Sequence, residues 1–275
     1  MKTKNLKKLI NYSNEKIFTR LLGNKSNANY WNYVSELRKR KSKDIFEKSI
    51  LLMESKIAKE RIIGIDVLAQ FGYPRLHKKI ILKKFFHLLK NETDKNAISS
   101  LFYGIGHNNE DLTIKQIDLI CSFKKNKNSK IRSSLAFALL TKEEPNAIDT
   151  LIELSKDQDY EIRDWATFGL GTQIETDNED IRNALWKRIN DKYETPRFEA
   201  IFGLAKRKDK RIKEILVTEL ENIDEFGSLI LEAIEEFNDK EFISLIEKQI
   251  EKNKKLKKVE ESWLLKTIEK LKETE

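Results

Sequence analysis

The sequence predicts an all-α solenoid of two-helix repeats, and three observations carry that prediction. Of 275 residues only nine are Gly and three are Pro, while Leu, Ile, Lys and Glu dominate, a composition of helices joined by short turns. Apolar residues recur at i, i+3, i+4 and i+7, as in Ile148, Leu151, Ile152 or Ile212, Ile215, Leu216, Leu220. A short motif also recurs along the chain at near-constant spacing, the signature of a repeat architecture.

That motif is Arg, two residues, a small or apolar residue, two residues, then a small residue and Leu. It reads clearly at Arg132–Leu139, Arg163–Leu170 and Arg197–Leu204, spaced by 31 and 34 residues. Weaker copies stand at Arg61–Leu68, Ile98–Ile105 and Gly227–Ile234, giving about six units. Each copy follows another amphipathic stretch, at 44–54, 77–90, 113–124, 146–156, 179–191 and 210–222, so every unit reads as a helical hairpin. Ala166 and Gly169, or Ala200 and Gly203, lie on one helix face, where missing side chains let a neighbouring helix approach. Pro145 suits the first turn of a helix, and Asp157 or Asp159, then Asp177 or Asn178, suit N-caps. Residues 1–43 read as a basic helical cap, 44–237 as the repeats and 238–275 as a C-terminal helical cap, all in one continuous domain, because a solenoid must cover its terminal apolar faces.

At Ile162–Gly171 the chain resembles the HEAT-like repeats of phycobilin lyase subunits. It is most similar to a bacterial group of HEAT-repeat proteins in which that segment is followed by ones like Asp180–Leu185 and Arg197–Ala205. Tyr30-Trp31, Leu37-Arg38 and Gly64–Gly72 also look like that group, so the resemblance covers residues 30–220. It implies the armadillo-type fold and no particular chemistry, since the architecture serves many functions. The iron-dependent hydroxylases built on HEAT repeats carry His-Glu pairs, and none of His77, His87 and His107 is followed by Glu. Helical-repeat alkylpurine DNA glycosylases invite comparison at Arg163, Asp164 and Trp165, but only the repeat architecture is shared.

The charge of +8 is unevenly spread. Residues 1–43 hold twelve Lys and Arg against Glu15 and Glu36, whereas 214–251 holds twelve Asp and Glu against Lys240 and Lys248. Such polarity fits complementary partners or self-association better than a uniformly basic nucleic-acid groove. The single Cys121 sits in an apolar series, so no disulfide forms within the chain and a reducing, cytoplasmic setting is expected. No apolar run reaches the ~18 residues of a membrane span.

The expected function is a non-enzymatic scaffold that docks a protein or peptide on the concave face. Two positions beyond the small residue, at about 200° around the helix, successive units place Tyr103, Phe137, Phe168 and Phe202; Asp66 and Glu232 end the stripe. The rings serve either as an exposed ladder or as packing between repeats, and packing is the commoner role of such stripes. Asp164, Trp165 and Arg197 complete the candidate partner-binding set. The Arg series Arg61, Arg132, Arg163 and Arg197 reads as a structural ladder pairing with acids near the preceding turns, such as Asp159, Glu161 or Glu194. The runner-up is nucleic-acid binding through the basic N-terminal third, with alkylpurine DNA glycosylase-like base excision as one form of it, Arg38, Lys39, Arg40, Lys41, Lys79 and Lys83 on phosphates and Tyr30, Trp31 and Tyr33 available to stack. A third reading is an immunity or assembly factor. No Gly-rich phosphate loop, metal-ligand spacing or nucleophile motif raises an enzyme, so no cofactor and no metal is expected.

Overall fold

The computed structural model describes residues 9–224 and 227–273. Lys2, Lys4, Lys7 and Lys8 of the basic stretch and Glu225 of the acidic block lie outside the described residues. Among those described there are sixteen α-helices and no strand. No described helix is long and apolar enough to cross a membrane. Contacts divide the chain after Leu139 into two compact units.

The first unit holds α1 (Asn14–Leu22), α2 (Asn27–Arg40), α3 (Lys43–Met53), α4 (Ala58–Ala69), α5 (Lys78–Leu89), α6 (Lys95–Gly106), α7 (Ile114–Cys121) and α8 (Ser129–Ala138). The second holds α9 (Pro145–Leu154), α10 (Tyr160–Phe168), α11 (Glu179–Trp186), α12 (Glu194–Lys206), α13 (Lys213–Glu221), α14 (Ser228–Phe237), α15 (Glu241–Leu256) and α16 (Glu261–Glu273). Five of the hairpins read from periodicity are packed pairs, α3 on α4, α5 on α6, α9 on α10, α11 on α12 and α13 on α14, and at the two ends α1 packs on α2 and α15 on α16. The even-numbered, second helices then pack side by side, α4 on α6 on α8 in one unit and α10 on α12 on α14 on α16 in the other.

Local chemistry sets the helix ends. Asp94, Asn128, Asp159 and Asn178 cap their helices by accepting from backbone N–H groups of the first turn, and Thr113 with Gln116 forms a capping box at α7. Pro145 occupies the first turn of α9, where its missing N–H costs nothing. Beyond Phe168, α10 widens into a π-helical turn, Gly169–Gln173. There the glycines serve close approach: a Cβ on Gly203 would strike the Cα of Gly171, and one on Gly171 would lie 2.6 Å from the Glu199 carbonyl oxygen. Backbone thus meets backbone where α10 and α12 pack.

Each unit also joins one hairpin to the next through a guanidinium forked onto a buried carboxylate. In the second unit the Arg163 Nη1 donates to the carbonyls of Asp157 and Gln158, while its Nε and Nη2 grip Asp191 at 2.7 and 2.8 Å. Asp191 lies in the turn leading into α12, where it also accepts from the Tyr193 N–H. In the first unit Arg61 repeats the pattern, donating to the Ser55 and Lys56 carbonyls and gripping Glu92 at 2.7 Å through both remaining nitrogens. Glu92 in turn accepts from the Thr93 and Asp94 N–H groups ahead of α6. This corrects the expectation that the acids come from the preceding turns. Those turns supply carbonyls, which occupy one edge of the guanidinium, so the carboxylate-matching fork faces the following turn. Burial alone would raise both carboxyls; the guanidinium and the backbone donors outweigh it and hold Glu92 and Asp191 below the usual carboxylate range.

Two outcomes are expected from these packings. Gly203→Ala forces two backbones apart and lowers the unfolding free energy by about 2–3 kcal/mol, read by chemical denaturation. Arg163→Ala strands a buried carboxylate and costs about 3 kcal/mol, part of which Asp191→Asn recovers in the same background.

Candidate binding face of the second helices

In the first unit the stripe is a bonded network rather than a bare ladder. Asp66 on α4 is buried, and its Oδ2 accepts a 2.6 Å hydrogen bond from the Tyr30 hydroxyl on α2. Ser100 on α6 also hydrogen-bonds this carboxyl, and Arg38 donates to the Asp66 backbone carbonyl through Nε at 2.9 Å and Nη2 at 2.5 Å. Burial pushes the Asp66 carboxyl up, against the lowering influence of Tyr30, Ser100 and Arg38. Burial, then the Asp66 charge, pushes the Tyr30 hydroxyl up as well, so it stays a donor. Trp31 lies edge-on to Tyr30, 5.2 Å between centroids, and is 53% exposed, with the Arg38 guanidinium 5.9 Å from its ring.

One helical turn further along, Gln70 just after α4 meets His107 just after α6, nitrogen to nitrogen at 2.5 Å. An amide nitrogen only donates, so the His107 Nε2 is the acceptor and the ring is neutral. Burial first, then the Arg75 and Arg38 charges, pushes the His107 pKa down to about 4. Arg75 donates to the His107 carbonyl, fixing the charge close by. Phe137 on α8 packs on both neighbours, its centroid 5.3 Å from Tyr103 and 5.1 Å from His107. Tyr103 is nevertheless 39% exposed. Both readings of the stripe therefore hold in part, with rings packed between helices and an edge left to solvent.

In the second unit the corresponding face is acidic and aromatic. Asp164 on α10 hydrogen-bonds with Thr195, and Glu199 on α12 accepts from the Thr172 hydroxyl at 2.7 Å. Burial pushes both carboxyls up, and Asp164 and Glu232 push Glu199 further. Trp165 and Phe168 meet edge to face at 6.1 Å, and both, like Phe202 on α12, are half-buried. Arg197 stands apart from this group: it pairs with Glu219 on α13 at 3.1 Å and lies over the Phe198 ring at 4.8 Å.

The basic candidates separate. Arg38 serves Asp66 as described; Arg40 donates to the Leu9, Ile10 and Tyr12 carbonyls and to Asn14 and Glu36; Lys41 donates to the Tyr73 carbonyl. Lys39 is exposed on α2. Lys79 and Lys83 come together elsewhere, in a groove between α5 and α7. No group of three or more His, Cys, Asp or Glu among the described residues is arranged to hold a metal ion. Sequence reasoning missed the Tyr30–Asp66, Gln70–His107 and Thr172–Glu199 pairs. The signal was available for one row: Gln70, His107 and Thr172 each lie four residues beyond a stripe position, hence one turn along the same face.

No family model matches the chain. Over 126 residues, 46% of its length, it is 35% identical to the protein YibA of Escherichia coli strains K12 and O157:H7, and the match spans 44% of that relative. The crystal structure of YibA from E. coli superposes with a TM-score of 0.74 at 25% identity, covering 99% of this chain and 97% of that one. The crystal structure of an engineered protein gives a TM-score of 0.56 at 16% identity over 98% of this chain and 82% of its own, a likeness of fold alone.

The titration of His107 has a testable sign. Its folded pKa of about 4 lies below the value of about 6.5 in the unfolded chain, so the unfolded state binds the proton first and stability falls as pH drops from about 6.5 towards 4. Thermal unfolding of the wild type and of His107→Gln, which keeps a polar partner for Gln70 without the titration, should diverge across that window, the wild type losing more. Together these findings make the chain an all-helical homologue of YibA.

Proposed function

We propose that the chain is an α-solenoid of HEAT-like repeats acting as a non-enzymatic scaffold that docks a protein or peptide on the face that the second helices form within each unit. The observation that carries this reading is the condition of the polar groups on that face. Asp66, His107 and Glu199 are already bonded to Tyr30, Gln70 and Thr172. They are fixed in place, whereas a catalytic acid or base must stand within reach of a substrate proton. What the face offers outward is the exposed part of Trp31 and Tyr103 and the half-buried Trp165, Phe168 and Phe202. Aromatic residues of this kind dominate protein recognition, since they contribute large contact area for few rotatable bonds. The engagement of Arg38, Arg40 and Lys41 with backbone carbonyls supports the same preference over phosphate binding.

The test is affinity capture from nuclease-treated lysate of the source organism, using the wild type beside Tyr103→Ala and Trp165→Ala. A protein retained in stoichiometric amount by the wild type should fall about tenfold or more with at least one variant, while circular dichroism and melting temperature show both variants folded. Recovery of nucleic acid alone, or equal capture by all three chains, sinks the proposal.

A further inference from the structure

The first helices carry a second surface of different character. Helix α5, Lys78–Leu89, buries Ile81, Leu82, Phe85, Phe86 and Leu89 and carries no acidic residue. Its flank towards α3 is neutralised by the 3.0 Å Lys84–Glu54 ion pair. Its other flank faces α7 across an open cavity of about 940 Å³. Five lysines and a single acid, Asp111, line that cavity. Lys78 pairs with Glu110, but Lys79, Lys83, Lys90 and Lys115 have no carboxylate within ion-pair distance among the described residues. On the floor between the α5 lysines and Lys115 lie the half-buried Leu119 and the edges of Leu82 and Phe86, both largely buried.

This is a groove with an apolar floor, a row of lysines along α5 and, on the α7 side, Lys115 beside Asp111. Lys79 and Lys83 are one turn apart, and Lys90 follows after about 16 Å of rise, so the charged wall extends over three turns of helix. A phosphate backbone would satisfy the lysines and leave the apolar floor in contact with polar sugar and phosphate. An amphipathic helix with carboxylates on both shoulders of an apolar stripe matches floor and walls together. We propose that the α5–α7 groove is a docking site for an acidic amphipathic helix of a partner protein. This surface is built from different helices than the aromatic face, so either site stands or falls without the other.

Fluorescence anisotropy on the full chain separates the possible occupants. The probes are a labelled amphipathic peptide of about fifteen residues, with Leu at i, i+3, i+4 and i+7 and Glu on both flanks, a scramble of the same composition lacking the stripe, and single- and double-stranded DNA of about fifteen nucleotides. The variants are Lys83→Glu with Lys115→Glu in the groove and, as a charge-matched control, Lys39→Glu with Lys248→Glu, both exposed and outside it. The amphipathic peptide should bind at least about tenfold tighter than its scramble. The groove variant should lose about tenfold or more of that affinity, and the control should lose little. Equal binding of peptide and scramble, or no binding of either, overturns the proposal. So does tighter binding of DNA that the groove variant abolishes, or lysine-dependent self-association of the chain by sedimentation in place of peptide binding.

Discussion

The forked contact between a guanidinium on one second helix and a carboxylate in the turn before the next is the interaction on which the arrangement depends. Arg163 and Asp191 in one unit, and Arg61 and Glu92 in the other, each set a guanidinium against a buried carboxylate where one hairpin meets the next. A lone buried charge there would be prohibitive, but each partner has its remaining hydrogen-bonding capacity met. The arginine donates its spare N–H groups to the turn behind it, and the acid accepts backbone N–H groups of the turn ahead. One side chain therefore ties together the turn that begins its own helix and the turn that begins the next. Register between neighbouring hairpins follows from this, because neither turn moves without leaving a buried donor or acceptor unmet.

At the opposite end of the second helices the chain meets the same requirement by other means. Asn108, after α6, donates to the Ala69 and Gly104 carbonyls at the ends of α4 and α6. Arg207, after α12, donates to the Gly171 and Gly203 carbonyls and to those of Leu170, Ile174 and Thr176. Helix C-termini leave carbonyls without partners, and here each end is closed by a side chain four residues past a helix glycine. Helices α4, α6, α10 and α12 are thus pinned at both ends, and the residues between them form surfaces of fixed shape. The odd-numbered helices lack such pinning where α5 faces α7, and a groove remains there.

Much of this was legible in the sequence. Helix positions follow from apolar periodicity, and the bounds of α5, α9 and α13 fall within three residues of the stretches read from it. Asp159, Asn178 and Pro145 act at the helix starts where their chemistry places them. The arginines were recognisable as structural because they recur at one offset. Their partners were not, since a side chain of that length reaches acids in either flanking turn, and only the geometry of the carbonyls settles the direction. The roles of Arg38, Arg40 and Lys41 were hidden for a similar reason: a run of positive charge gives no indication of which cations meet backbone carbonyls distant in sequence. Tyr30 and Asp66 are 36 residues apart, and no local pattern links them.

The two units present different electrostatic environments on equivalent helices. In the first, Arg38 and Arg75 adjoin Asp66 and His107, and both arginines are pushed down by burial while nearby acids act to raise them. In the second, Asp164 and Glu232 push the Glu199 carboxyl up, while Arg197 is engaged with Glu219 and Lys206 with Glu175 and the Thr172 carbonyl. A carboxyl that is partly buried and held above its ordinary range gains when a cation approaches, because the newcomer relieves both the repulsion and the lost hydration. A carboxyl already neutralised from beside gains nothing by comparison. Under the scaffold reading, the second unit therefore selects for positive charge in whatever docks on its aromatic face, and the first unit contributes shape and apolar area.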